Sequence, residues 1–341
     1  MRTVIIVHPR FDIVWPWTAD YFHKLFSAQG SVEFIRLAPD ETSTLDQLVP
    51  DPGSVIRLVS LLVNVTADGL RAFSSLEEIA IIMDPYNQSL ADELKSTLVE
   101  AGVKVYSHTS EGYWGQSVSE FGLALTLCGL RRIPQTHHEI ITSLKPWDYE
   151  PLSGIPNPPV RGHQFGDDPN FTNGTIEGKR IRMVGAGNIA SRYASFVNML
   201  GADVAAWDPF ATEPSFHRTG TRKEWHLNRL VQDAEIFVPM VPLTPQTRGL
   251  VTAELIHALP KGCLVVLVTR AEICDMQAIR ERVLNDEISL AADVFDIEPL
   301  PLEDSLLGRH NVVHTPHNAG RTVQSNQRWA EKLFEQFIPK L

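Results

Sequence analysis

Short apolar runs alternate with helix-like stretches along most of this chain. Residues 3–7, 32–37, 54–59, 79–83 and 103–106 are compact, β-branched and aliphatic, which predicts short buried strands. Helical spacing fills several of the gaps, notably residues 17–29 and 89–101. A second series of strand-like runs covers residues 181–184, 204–207, 235–238, 264–268, 289–292 and 311–313, and helical stretches separate the first five. Uninterrupted apolar strands between helices predict an α/β protein with parallel sheets covered on both faces. Residues 116–144 read as helix broken at Pro134, and Trp329, Leu333, Phe334 and Phe337 give residues 321–337 the face of a closing amphipathic helix.

Between the two series, residues 146–180 hold six prolines and five glycines in 35 positions. That density predicts a long irregular connection. Both a functional loop and a plain surface excursion are open for it. With 341 residues and no short internal repeat, two α/β units are the simplest organisation.

Composition narrows the function classes. The chain has 30 Lys+Arg against 41 Asp+Glu, a formal charge of −11, and no basic run. This argues against nucleic acid as a partner. The longest strongly apolar run, residues 121–130, is about half of the roughly 20 residues a membrane span needs. No signal-like apolar region follows Met1. Cys128, Cys263 and Cys274 have no metal-ligand spacing, so no metal site is expected. An odd trio of thiols suits a reducing, cytoplasmic setting.

The first chemical signal is Gly185-Ala186-Gly187-Asn188-Ile189-Ala190, which follows one strand-like run directly and opens a helix-like stretch. In that context Gly185 permits a tight turn, Gly187 lets the backbone approach a pyrophosphate, and Ala190 allows close helix–strand packing. Amides near Asn188 and Ile189 would face the phosphates. Asp208, at the end of the next strand, is placed to accept from ribose hydroxyls and to repel a 2′-phosphate, which selects NAD over NADP. The competing reading of Asp208 is a turn former before Pro209.

Three later spots put polar groups at predicted strand ends. Arg270 follows Thr269 and could grip a carboxylate bidentately, or be a plain surface arginine. Asp293, Asp296 and Glu298 lie in Ala292-Asp293-Val294-Phe295-Asp296-Ile297-Glu298-Pro299, either orienting a base or solvated as loop charges. Thr315-Pro316-His317-Asn318-Ala319-Gly320 delivers a histidine just past a strand, suited to proton transfer near neutral pH. His314 lies inside the apolar run and reads as structural.

Together these motifs, with Val241-Pro242-Leu243-Thr244-Pro245-Gln246-Thr247-Arg248-Gly249-Leu250 between them, resemble the D-isomer-specific 2-hydroxyacid dehydrogenases. The resemblance runs from about residue 117 to 320. It implies two doubly wound parallel-sheet domains, Rossmann-like and flavodoxin-like, with the active site in the cleft between them. Residues 1–115 plus 318–341 would form the substrate-binding domain, and 116–317 the NAD-binding domain. Arg270 would bind substrate and polarise its carbonyl, His317 would be the acid/base, and Glu298 its carboxylate partner. The cofactor would lie against Gly185, Gly187, Asn188, Ile189, Asp208, Pro242, Thr247, Thr269, Asp293, His317 and Gly320, with the Asp293 carboxylate near the nicotinamide amide. The family is usually homodimeric through the helices after Gln116. The implied activity is NAD-dependent interconversion of a D-2-hydroxy acid and its 2-keto acid, chiefly as a reductase. Two alternatives stand beside it: an NAD(H)-sensing, corepressor-like binding protein, and a dehydrogenase of an atypical small acid.

The sequence departs from the family where a Gly-x-Gly turn normally cradles the substrate carboxylate. Here Met83-Asp84-Pro85-Tyr86-Asn87 stands instead, and Pro85 has no amide to offer. Asp84, Tyr86, Tyr113 and Trp114 are therefore candidates for the substrate pocket; for Tyr113 and Trp114, packing at a domain boundary is the equal alternative.

Overall fold

The computed structural model describes residues 2–84, 90–108, 113–144, 147–149, 160–161, 168 and 170–339. Two compact units result: Met1–Tyr113 with Arg321–Leu341, and Trp114–Gly320.

The first unit is built on five strands, β1 (Thr3–Val7), β2 (Val32–Arg36), β3 (Arg57–Leu61), β4 (Glu78–Ile82) and β5 (Lys104–Tyr106). All pairings are parallel and the order is β2-β1-β3-β4-β5, the flavodoxin-like winding. β1, β3 and β4 are buried along their whole length, as continuous apolar runs predict. β3 starts at Arg57 instead of residue 54, because Pro52–Ser54 forms a 3₁₀ turn first. Arg57 and Glu78 open adjacent strands, fully buried, with Nε–Oε2 at 2.6 Å. Their remaining bonds hold the C-terminal segment: Arg57 donates to the Ile338 carbonyl, and Glu78 accepts from the Ile338 amide and the Tyr106 hydroxyl.

The Val323–Phe334 helix of this unit carries Trp329, fully buried in an aromatic cluster with Phe11, Trp15 and Phe22. The His108 ring lies tilted against Trp329 and Tyr113, with centroids 4.2 Å and 4.9 Å away. Burial drives the His108 pKa down to about 4 from the ordinary 6.5. The unfolded chain therefore binds more protons than the folded one between those values. Stability falls as pH drops from about 6.5 to about 4, with a slope of at most ~1.4 kcal/mol per pH unit. A His108→Leu variant is expected to flatten that limb in denaturant titrations; an unchanged acid limb would assign it to other groups.

The second unit holds β8 (Arg180–Val184), β9 (Asp203–Trp207), β10 (Arg222–Lys223), β11 (Ile236–Pro239), β12 (Leu264–Leu267), β13 (Ser289–Ala292) and β14 (Val312–His314). Their order, β10-β9-β8-β11-β12-β13-β14, is the 3-2-1-4-5-6 dinucleotide-binding winding with one strand added. Alternation along β12 explains its two-sided burial: Val265 and Leu267 enter one core, Leu264 and Val266 the other. The helical stretch around Pro134 resolves into Gly115–Arg131 and Ile133–Ile140, joined at a left-handed Arg132. Gly129 lets the longer helix sit close on β12, where a Cβ would come 2.8 Å from a Leu264 methyl. Within the proline- and glycine-rich stretch, β6 (Asp148–Tyr149) pairs antiparallel with β7 (Val160–Arg161).

Among the described residues no helix is long and apolar enough to cross a membrane, and no group of His, Cys, Asp or Glu is placed to hold a metal ion.

Candidate active site

The glycine turn lies between β8 and the Asn188–Met199 helix. Gly185 has φ +107, and a Cβ there would come 2.8 Å from the Met240 carbonyl oxygen and 2.9 Å from Val241. A side chain is excluded on both counts. At Gly187 a Cβ would meet nothing within 4 Å, so the backbone borders open space. Gly187 is the N-cap, with no side-chain cap, which leaves the helix's first amides free to face an anion.

Asp208 takes the turn-forming role that the sequence allowed, and its carboxylate also reaches the glycine turn. Its Oδ1 accepts from the Phe210 and Ala211 amides, closing the turn, while Oδ2 accepts from the Ala186 amide at 2.8 Å. The carboxylate is thus anchored to the glycine turn, at the end of the neighbouring strand. Asn188 and Ile189 open the helix; the Asn188 side chain accepts from Arg192, and the Ile189 carbonyl accepts from Ser119. Pro242 and Thr247 form a tight local turn, the Thr247 hydroxyl donating to the Pro242 carbonyl at 2.6 Å.

A second group lies at the ends of β12, β13 and β14. Thr269 is buried just past β12, its hydroxyl 3.4 Å from the Pro239 carbonyl. Arg270 follows in extended conformation, with Nη1 donating to its neighbour's carbonyl at 2.7 Å. Past β13, Asp293 is fully buried and both its oxygens are engaged: Oδ1 accepts from the Thr315 hydroxyl (2.6 Å) and the Asn318 amide (3.0 Å), and Oδ2 from the Ala319 amide (2.9 Å). These bonds grip both sides of His317, which sits in the left-handed region at φ 53. Its ring Nδ1 lies 2.7 Å from Glu298 Oε2, and Glu298 Oε1 accepts from the Phe295 amide at 2.8 Å. Both side chains are about one-third exposed, at 33% and 34%. The pair is reachable by a small molecule, and with Nδ1 held by Glu298 the imidazole presents Nε2.

Gly320 packs against Trp114, whose indole would be 3.1 Å from an added Cβ. Tyr113 meets Trp15 edge-on and lies tilted against His108 inside the aromatic cluster of the first unit. Asp84 is exposed just past β4, and Tyr86 lies outside the described residues. His314 ends β14 with its side chain exposed. The gripping of the His317 turn by Asp293 has no signal in the sequence, because its partners lie 22 to 26 positions away.

A doubly wound sheet with a glycine turn, an anchored strand-end carboxylate and a Glu–His pair past later strands defines a dinucleotide-binding domain. Residues 157–319 match the family model described as the NAD-binding domain of the D-isomer specific 2-hydroxyacid dehydrogenases. Residues 157–319 are thus a domain of that family. It is 27% identical to the hydroxypyruvate reductase of Thermotoga maritima over 311 residues, 88% of this chain and 89% of that one. It is 28% identical to the D-3-phosphoglycerate dehydrogenase of Methanocaldococcus jannaschii over 228 residues, 66% of this chain but 39% of that one. The chain spans less than half the length of several curated relatives it matches. In fold it is similar to the NAD-complexed D-isomer specific 2-hydroxyacid dehydrogenase of Lactobacillus delbrueckii ssp. bulgaricus, with a TM-score of 0.69 and 17% identity over 98% of this chain and 95% of that one.

NAD is the cofactor of this domain, and the residues fit it: the side-chain-free approach at Gly185 and Gly187, the free helix amides and the Asp208 carboxylate match its pyrophosphate and ribose. Gly185→Ala is expected to weaken NADH binding at least about tenfold, since strain at positive φ alone costs ~1–3 kcal/mol and the clash is with backbone. NADH fluorescence titration checks this; an affinity within twofold of the parent would place the pyrophosphate elsewhere.

Proposed function

We propose that the protein reduces a 2-keto acid to the D-2-hydroxy acid, and catalyses the reverse oxidation, with NAD as cofactor. The observation that carries this reading is the 2.7 Å contact between His317 and Glu298, on the strand-end side of an NAD-binding sheet that also bears Arg270. Bound NADH supplies the hydride. His317, protonated and held at Nδ1 by Glu298, delivers its Nε2 proton to the keto oxygen. Arg270 binds the substrate carboxylate and stabilises negative charge developing on that oxygen. In oxidation, neutral His317 takes the hydroxyl proton at Nε2. Asp293 supports the chemistry by fixing the turn from which His317 projects.

The working state proposed is a homodimer. Leu127, Ile133, Ile140, Ile141 and Leu144 are exposed on and just after the two helices that follow Gln116, and an apolar row of this kind marks an interface. Three free thiols support a reducing, cytoplasmic setting. The substrate class is tested by NADH oxidation with a panel running from glyoxylate and hydroxypyruvate to phenylpyruvate. Turnover on one of them supports the reductase; NADH binding without turnover on any would favour the cofactor-sensing alternative.

A further inference from the structure

Beyond the Phe295 amide on its Oε1 and His317 on its Oε2, Glu298 has little local support. No strand or helix is formed between Ala292, which ends β13, and Val312, which opens β14. Residues 296–299 are exposed, and Ile297 points more than half of its surface to solvent. Packing therefore does little to fix the carboxylate. A single guanidinium does more. Arg280 lies on the Met276–Leu284 helix, itself anchored by fully buried Ile279 and Val283 and capped by Asp275. Its Nη2 donates to Asp296 Oδ1 at 2.8 Å, and its Nη1 lies 3.0 Å from both oxygens of Asp304. Asp304 in turn accepts from the amide of Leu306, a fully buried residue.

We propose that Arg280 is a positioning residue for the proton-transfer pair: by bridging Asp296, two residues before Glu298, to Asp304, six residues after it, it sets where Glu298 meets His317. A core-anchored path runs from Leu306 through Asp304 and Arg280 to Asp296, and so to the backbone that carries Glu298. The Arg280 and Asp304 side chains are only 18% and 9% exposed, so the bridge is screened less than an ordinary surface pair. Charge supports the same role. Asp296, Glu298, Glu303 and Asp304 are four carboxylates within nine residues, and Arg280 is bonded to two of them. Burial alone would raise the Asp304 pKa, but the bonds from Arg280 and Leu306 outweigh it and hold Asp304 ionised below the usual carboxylate range. The guanidinium spans its two partners with separate nitrogens, which one lysine ammonium cannot do with the same rigidity.

This inference rests on the dehydrogenase reading for its kinetic consequence but not for its structural one, and the test reads both. Arg280→Ala, Arg280→Lys and Asp296→Asn are compared with the parent. The downfield proton NMR signal of the His317 Nδ1–H, assigned by its loss in Glu298→Gln, reports the pair without substrate. Expected are a broadened or lost signal in Arg280→Ala and partial recovery in Arg280→Lys. With a turned-over keto acid, kcat should fall about 10- to 100-fold, as displacement of a reacting group by ~1 Å can cost, while the NADH Kd stays within twofold. Asp296→Asn, which leaves the Asp304 contact in place, should move both readouts the same way by less. A parent-like signal in Arg280→Ala would overturn the proposal whether or not any keto acid is turned over. So would loss of NADH affinity in step with kcat, which is the mark of general unfolding. Absence of turnover in the parent with the signal still sensitive to Arg280 would overturn the dehydrogenase reading and leave the positioning role supported.

Discussion

His317→Gln is expected to lower keto-acid reduction by roughly 10²- to 10⁴-fold with little change in NADH affinity, because it removes general acid catalysis and leaves the cofactor cradle intact. Glutamine retains a donor of similar reach, so the substrate still finds a hydrogen bond but no proton to take. The geometry gives the prediction its direction: Nδ1 is committed to Glu298 at 2.7 Å, which leaves Nε2 for substrate. The reverse oxidation should fall by a similar factor, because the same Nε2 that gives the proton in one direction takes it in the other. Steady-state rates in each direction, beside NADH fluorescence titrations, make the check. A variant that keeps the parent's rates would move the proton-transfer role to another group.

The sequence made the scaffold legible because parallel strands buried on both faces are short, continuous apolar runs. Residues 264–268 and 289–292 are such runs, and the strands fall on them. Where an edge was misplaced the cause is local: Val55 is buried and apolar but follows a 3₁₀ turn, so the apolar run begins before the strand does. The glycine turn and Asp208 were legible for a related reason, since their geometry depends on neighbours close along the chain or one strand away. Asp208 closes its expected turn and, with its other oxygen, anchors the glycine loop. What stayed hidden depends on contacts across long separations. The bonds of the Asp293 carboxylate to Thr315, Asn318 and Ala319 are such contacts. Arg280 reaches Asp304 from 24 positions away, and nothing in the helical pattern of residues 276–284 distinguishes it from a solvated surface arginine. One-dimensional periodicity says which face a residue lies on, not which partner it meets there.

Arg270→Met is expected to reduce kcat for the keto acid by about 10²- to 10³-fold, the usual consequence of removing one preorganised donor from a developing oxyanion. Its KM for the keto acid should rise as well, because the same guanidinium is assigned to the carboxylate. The backbone around Arg270 is rigid: Thr269 is buried, Ala271 is fully buried, and the Arg270 Nη1 already leans on the Thr269 carbonyl. The substitution should therefore change the chemistry of the site and not its shape, and NADH affinity should hold. Arg270→Lys separates charge from geometry. A lysine keeps the positive charge but cannot present two parallel N–H donors to a carboxylate, so it should recover part of kcat and less of KM. Equal behaviour of Lys and Arg at 270 would mean that net charge alone is needed. If Met instead lowered NADH affinity while sparing kcat, the guanidinium would belong to the cofactor and the substrate carboxylate would need another partner. That partner would have to come from outside the β12–β14 edge. The sequence Met83-Asp84-Pro85 is poorly suited, since Asp84 brings negative charge and Pro85 no amide donor.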